Sequence, residues 1–268
     1  MMKVFINSKQ KEISQKSLFE LRKHQNQENS LTIINGFATS EDVELKENDT
    51  IFFIQKGAFP KKDELEAMMM SRHTPNVHKK LKNSKVAIAG LGGLGSNIAV
   101  SLARIGVGKL LLVDFDIVEP SNLNRQSYFI EDLGKAKTKA LKQQIKKINP
   151  FIKIKTKTIK VSEKNIEKLF SKYPIICEAF DKADQKAMLV NGVLEKLPNS
   201  TIIAASGLAG FESSNKIKTK RAMERLYICG DLEAEAKMGN GLMSPRVMLC
   251  AAHQANMVLR VILNEKEV

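Results

Sequence analysis

Cysteine is scarce in this chain. There are three, Cys177, Cys229 and Cys250, far apart and never in Cys-x-x-Cys spacing. An odd, scattered set excludes a disulfide framework and a four-thiolate zinc site, so no zinc is expected. Long apolar runs are missing too: none approaches the roughly 18 to 20 residues that a bilayer span requires. The opening Met1-Met2-Lys3-Val4-Phe5-Ile6-Asn7 turns polar too soon for a signal peptide. A cytoplasmic protein with no membrane partner is expected. Negative charge is in deficit, with 29 Asp and Glu against 43 Lys and Arg, a net charge of +14. That excess raises the question of nucleic acid. The lysines between Lys135 and Lys172, however, alternate with an apolar stripe at Leu141, Ile145 and Ile148, as on a helix with a solvated outer face. No nucleic-acid motif accompanies them, and tryptophan is absent. No nucleic-acid partner is expected; an acidic protein partner suits the same charge.

What is present is a globular composition, 43% hydrophobic and 27% charged over 268 residues, enough for one large domain plus a small one. Residues 3 to 7 and 11 to 13 read as strands. Ser17-Leu18-Phe19-Glu20 has the form of a capping box that starts a helix running to about His24. Residues 31 to 34 form an apolar strand closed by Asn35-Gly36, and residues 50 to 54 form a further strand. The order strand, strand, helix, strand, strand makes residues 1 to 58 a small α+β roll at the lower edge of what folds alone. Residues 59 to 84 read as a helical linker. From residue 85 to 268, apolar strands at 85 to 89, 110 to 113, 175 to 177 and 201 to 205 alternate with helices at 94 to 105, 135 to 148 and 184 to 197. An irregular stretch, 206 to 241, precedes a last apolar helix at 244 to 263. The alternation predicts an α/β fold with a Rossmann-like, mostly parallel open sheet and crossover helices.

Gly90-Leu91-Gly92-Gly93-Leu94-Gly95 succeeds the first strand of that series and opens a helix. Gly90, Gly92, Gly93 and Gly95 thus fit a phosphate-binding turn, where glycine lets backbone approach the anion and the helix N-terminus supplies N–H donors. Asp114 ends the next strand at the distance expected of a ribose ligand; Asp116 is the alternative. This fingerprint alone serves NAD or ATP equally. The residues beyond Asp114 point to ATP. A long polar loop, Asp114-Phe115-Asp116-Ile117-Val118-Glu119-Pro120-Ser121-Asn122-Leu123-Asn124-Arg125-Gln126, stands where a dehydrogenase would turn into its next helix, and Gly134-Lys135-Ala136-Lys137 brings cations to that helix. Expelling pyrophosphate develops negative charge that fixed cations and Mg²⁺ stabilise.

These elements, with the late segment Gly241-Leu242-Met243-Ser244-Pro245-Arg246-Val247, resemble the ThiF/MoeB/HesA superfamily of ubiquitin-activating-type enzymes over about residues 70 to 264. Ile33-Ile34-Asn35-Gly36 and Leu45-Lys46-Glu47-Asn48-Asp49-Thr50-Ile51 resemble a ThiS-type, ubiquitin-like sulfur carrier over residues 1 to 58. The resemblance implies an ATP-dependent adenylyltransferase acting on a ThiS-like carrier that ends in Gly-Gly, for thiamine biosynthesis; molybdopterin or another sulfur-transfer pathway is the nearest alternative. It implies Asp114 on the ribose, Asn122, Arg125 and Gln126 on nucleotide and phosphate, Lys137 on phosphate, and Asp181 on Mg²⁺. Arg72 resembles an arginine that reaches into the partner's site in homodimers of the superfamily. Each residue keeps a plainer reading: Arg125, Lys137 and Arg72 as surface charges, Gln126 as a loop brace, Asp181 as a helix N-cap near Asp184.

Three departures stand out. Lys56-Gly57-Ala58 runs on into Phe59-Pro60, so the carrier-like domain has no terminal carboxylate to adenylate. Where the superfamily commonly shows Asp-Asn-x-x-x-Arg, this chain has Asp181-Lys182 and Lys186. Of the cysteines only Cys229 stands near the expected crossover loop as a candidate nucleophile; without it, a separate persulfide donor takes over the activated carrier. A dehydrogenase and a non-catalytic nucleotide-binding scaffold are the rivals from other classes; the first leaves the Asn122 to Lys137 elements unexplained, and intact Arg125, Lys137 and Asp181 argue against the second.

Overall fold

Alternate residues of the first strand, Val4 and Ile6, are buried while their neighbours are not, the pattern of a strand with one face on a core. In the computed structural model, which describes residues 1 to 268, the chain forms two compact units, Met1–Lys79 and Lys80–Val268.

The first unit is a five-stranded sheet in the order β2-β1-β5-β3-β4, with β1 (Met2–Ile6), β2 (Lys9–Ile13), β3 (Leu31–Ile34), β4 (Phe37–Thr39) and β5 (Thr50–Ile54). Strands β1 and β5 pair in parallel; the other pairs are antiparallel. Helix α1 (Leu18–His24) buries Leu18 and Leu21 against Val4, Ile6, Ile51 and Phe53. Its cap is half of the expected box. The Ser17 hydroxyl accepts from Glu20 N at 3.3 Å, whereas the Glu20 carboxylate accepts from Lys16 N at 2.9 Å. Asn35 and Gly36 both take positive φ, 51° and 86°, as a two-residue hairpin turn requires. That turn leads into β4, a strand too short to show a sequence period. Helix α2 (Lys62–His73) begins the stretch read as a linker.

Helix α3 (Pro75–Asn83) runs on into the second unit. There a seven-stranded sheet has the order β11-β12-β10-β9-β6-β7-β8: β6 (Lys85–Ala89), β7 (Lys109–Asp114), β8 (Lys153–Thr158), β9 (Ile175–Glu178), β10 (Thr201–Ala205), β11 (Lys218–Met223) and β12 (Leu226–Gly230). Every neighbouring pair is parallel except β11 with β12. The helices are α4 (Gly93–Arg104), α5 (Lys137–Ile148), α6 (Ile166–Phe170), α7 (Ala183–Lys196) and α8 (Ser244–Leu263). The two edge strands, β8 and β11, and β12 next to β11 correct the sequence expectation. Edge strands β8, Lys-Ile-Lys-Thr-Lys-Thr, and β11, Lys-Thr-Lys-Arg-Ala-Met, carry charge that repels stray strands and hides the β pattern.

The chain leaves β6 toward β7 and β8, then returns to β9 on the other side of β6. The carboxyl ends of β6 and β9 therefore border the crevice where open α/β sheets bind ligands. No helix is long and apolar enough to cross a membrane.

Candidate active site

The glycine turn sits in this crevice. Gly90 has φ +90°, and an added Cβ would lie 2.6 Å from Ala179 O. The turn therefore runs tight against the segment after β9 that leads into Asp181. Gly95 is also obligatory, since a Cβ there would lie 1.9 Å from Gly90 O. Gly92 differs: an added Cβ would meet only Gln126 Nε2, at 3.7 Å, so its outer side is open. Gly92 caps α4, whose first N–H groups face outward with the positive end of the helix dipole.

The polar loop after β7 is fastened onto this turn. Ser96 Oγ donates to Gly92 O at 2.7 Å and accepts from Ser127 N at 3.0 Å. Asn97 Nδ2 donates to Gly93 O at 2.7 Å and to Arg125 O at 3.1 Å, while its Oδ1 accepts from Ser127 Oγ at 2.7 Å. Tyr128 OH donates to Leu91 O at 2.8 Å. The late segment arrives as well: Asn124 Nδ2 donates to Leu242 O at 2.9 Å, and a Cβ on Gly93 would lie 2.8 Å from Val247 Cγ1. Three motifs separated in sequence thus meet at the start of α4. Ser96, Asn97, Ser127 and Tyr128 were not legible as site residues, because none belongs to a charged or glycine pattern.

Asp114 is buried, and its carboxylate accepts from Leu91 N at 2.6 Å and Asp116 N at 2.8 Å. Burial raises its pKa above the ordinary 3.8, opposed by those two N–H groups and by Lys137. Each oxygen keeps a lone pair for a further donor, so a ribose hydroxyl is compatible with this brace. Asp116 is taken by Lys137, whose buried ammonium lies 3.3 Å away. Asn122 is buried and accepts from Glu119 N at 3.1 Å, which shapes the loop. Arg125 is partly exposed, its guanidinium donating to Ser121 O at 3.0 Å and Asn124 Oδ1 at 2.7 Å. Gln126 is buried; its Nε2 lies toward the open side of Gly92, and its Oε1 has no hydrogen-bond partner. The Nε2 amide is a donor, so it suits an acceptor at the turn such as a phosphate oxygen.

Asp181 is exposed and forms no ion pair. Residue Lys182, not Asp181, is the N-cap of α7. Behind Asp181 stands an arrangement that sequence reasoning missed. Glu178 is fully buried and takes the Lys186 ammonium on both oxygens, at 3.1 and 3.0 Å, with Phe180 N at 2.7 Å. Burial pushes the Glu178 carboxyl up, and Lys186 opposes that. Lys186 also donates to Ala205 O, and Gln254 from α8 donates to Glu178 O and Ile203 O. Thus Lys186, at the expected arginine position, turns inward to brace β9 and β10. The only signal in the sequence was a Glu three residues before Asp181. A second buried pair, Asp231 with Arg246, ties the end of β12 to α8; Arg246 also donates to Glu212 O and Ser213 O.

All three cysteines are buried. Burial pushes Cys229 up to about 11 and Cys250 up to about 12, and raises Cys177 as well. Cys229 lies within β12, not on a loop, and its thiol is protonated and covered, so this fold does not present it as a nucleophile. Arg72 lies on α2 in the first unit, with its side chain exposed. A depression of about 780 Å³ lined by Arg22, Ser30, Thr32, Thr39 and Lys56 lies on the first unit and includes none of the residues expected to bind nucleotide.

Glycine turn, switch-point crevice and braced loop define a doubly wound α/β protein. Residues 65–268 match the ThiF family model and residues 2–57 the ThiS-like ubiquitin model. The chain belongs to the ThiF family. It is 38% identical over 104 residues to the probable adenylyltransferase/sulfurtransferase MoeZ of Mycobacterium tuberculosis, covering 38% of this chain and 26% of that protein. It is 38% identical over 130 residues to the adenylyltransferase and sulfurtransferase UBA4 of Saccharomyces cerevisiae, covering 48% and 29%. The match thus spans less than a third of these relatives' length. Among solved structures, the E. coli tRNA N6-threonylcarbamoyladenosine dehydratase TcdA in complex with ATP aligns with TM-score 0.67 at 19% identity, covering 74% of this chain and 93% of that one.

Proposed function

We propose that the protein adenylates the C-terminal glycine carboxylate of a ubiquitin-like sulfur-carrier protein. The observation that carries this reading is the convergence at one helix N-terminus of the glycine turn, the Asn122 to Gln126 loop and the 241 to 247 segment, with an unpaired acid, Asp181, across the crevice. Gly92 and the first turn of α4 receive phosphate, Asp114 the ribose, and the Gln126 Nε2 amide donates toward the phosphate beside Gly92. A carrier carboxylate oxygen attacks the α-phosphorus; the bond to the β-phosphate oxygen breaks and pyrophosphate departs, leaving an acyl adenylate open to sulfur. Arg125 and Lys137 oppose the charge growing on the leaving group. Asp181 would hold Mg²⁺, which supplies further neutralisation of the phosphates when bound. The residues fit that group, since Asp181 is an exposed, unpaired carboxylate just after Ala179 and Phe180, which lie against Gly90. In a homodimer, Arg72 of one subunit would serve the other subunit's site.

The ThiS-like region favours a ThiS-like carrier and the thiamine branch. Similarity to MoeZ and UBA4 favours another sulfur-carrier pathway, and the deeply buried cysteines favour a separate persulfide donor. Pyrophosphate exchange into ATP, with and without carriers ending in Gly-Gly, tests the reading. Exchange is expected only with carrier, and about a hundred- to a thousandfold lower in Asp181→Ala. Carrier-independent or absent exchange in folded protein, or full exchange in Asp181→Ala, would sink the reading or Asp181's part in it.

A further inference from the structure

The sheet of the first unit is apolar on both faces. One face meets α1; on the other, Ile33, Phe52 and Ile54 are buried as well. Left open, that face would be an apolar patch of the kind that binds other proteins. Helix α2 covers it. Ala67 is 2% exposed and joins Ile33, Phe52 and Ile54 in one cluster, with Leu31 and Met68 at its rim. The helix is also held at both ends. Near its start, Asp63 lies close enough to Ser8 in the β1–β2 turn for the Ser8 side chain to lower its carboxyl below the ordinary value. Near its end, Met70 and then Pro75 close over the β3–β4 turn: a Cβ on Gly36 would lie 2.6 Å from Pro75 Cγ and 3.3 Å from Met70. With the strand order β2-β1-β5-β3-β4, α2 lies as a strap over β4, β3 and β5, its start near the β1–β2 turn. A free helix of this length is marginal in water, so α2 owes its order to the contact.

We infer that the ThiS-like region is an internal clamp: its second sheet face is a binding site already filled by α2 of the same chain, closed to outside proteins, and its task is to hold α2 and Arg72 in place. Residues 65 to 73 of that helix fall inside the ThiF match although they pack with the ThiS-like sheet. A cut at residue 58 would therefore strip the clamp from the helix and bare Ile33, Phe52 and Ile54. The clamp stands on packing alone; only the use made of Arg72 rests on the proposed adenylation.

Hydrogen–deuterium exchange on the full chain tests it, comparing wild type with Ala67→Glu and Met68→Glu. A charge under α2 is expected to speed exchange of its amides by about tenfold or more, while α1, β1 and β5 stay protected by their core on the opposite face. Unchanged α2 exchange in both variants overturns the clamp. So does equal loss in α1 and α2 in the milder Met68→Glu, which would mean one cooperative body with no separable strap. Pyrophosphate exchange on the same samples separates the two claims. A loosened α2 with activity reduced as in Arg72→Ala supports the positioning of Arg72; a loosened α2 with full activity overturns that part.

Discussion

The two sides of the switch point hold charge in opposite ways. On the β7 side the charged groups stand at the crevice and are already engaged: Asp114 braces two backbone N–H groups, and Lys137 lies against a half-exposed Asp116. On the β9 side the engaged pair, Glu178 with Lys186, is withdrawn into the protein, and the acid left at the crevice, Asp181, is unpaired. One side combines holding and chemistry in the same residues. The other separates them, with a buried brace behind a free carboxylate. Side chains that pair in the interior fix geometry at a desolvation cost, while those left in water stay available to a ligand.

Glu178→Ala should break this contrast most severely. It leaves the Lys186 ammonium partly buried without its partner, and loss of one member of a buried pair costs about 3–5 kcal/mol. Urea unfolding monitored by far-UV circular dichroism measures it; a loss below about 1 kcal/mol would mean that the pair is no brace. Lys137→Ala should show the reverse profile. Its partner is half exposed, so stability should change by less than about 1 kcal/mol, whereas carrier-dependent pyrophosphate exchange should fall about a hundredfold. Equal losses in stability and activity would erase the distinction between the two sides. The smallest effect concerns pH. Burial raises the Asp114 carboxyl above its unfolded value near 3.8, so the folded protein binds that proton more tightly. Its contribution is full below the unfolded value and is lost as pH rises through the folded one. Relative to Asp114→Asn, wild type should therefore gain stability as pH falls from 7 toward 4 in urea titrations. A flat difference would show that the carboxyl is not raised.

Glycine spacing, apolar runs and turn signals made the glycine turn, eight of the twelve strands and the main helices legible, because each depends on local conformation and short periods. Strand β8 escaped because its alternating lysines read as a solvated helix face, and β11, polar along its length, fell in the stretch read as irregular. Lys186 shows the limit for the site. Its place in the chain marks it as the counterpart of an arginine, yet its ammonium points to Glu178 and Ala205 O.

The sequence by itself determined that a glycine turn starts α4, that acids end β7 and come after β9, and that a carrier-like roll precedes them without a free end, since residue type and chain order suffice for each. Only the tertiary structure decided which charges are spent inside and which remain free, that the cysteines are covered, and that α2 seals the small sheet. Those outcomes depend on which surfaces meet, and burial sets the cost of a charge, the acidity of a thiol and the order of a short helix far more than its neighbours in sequence do.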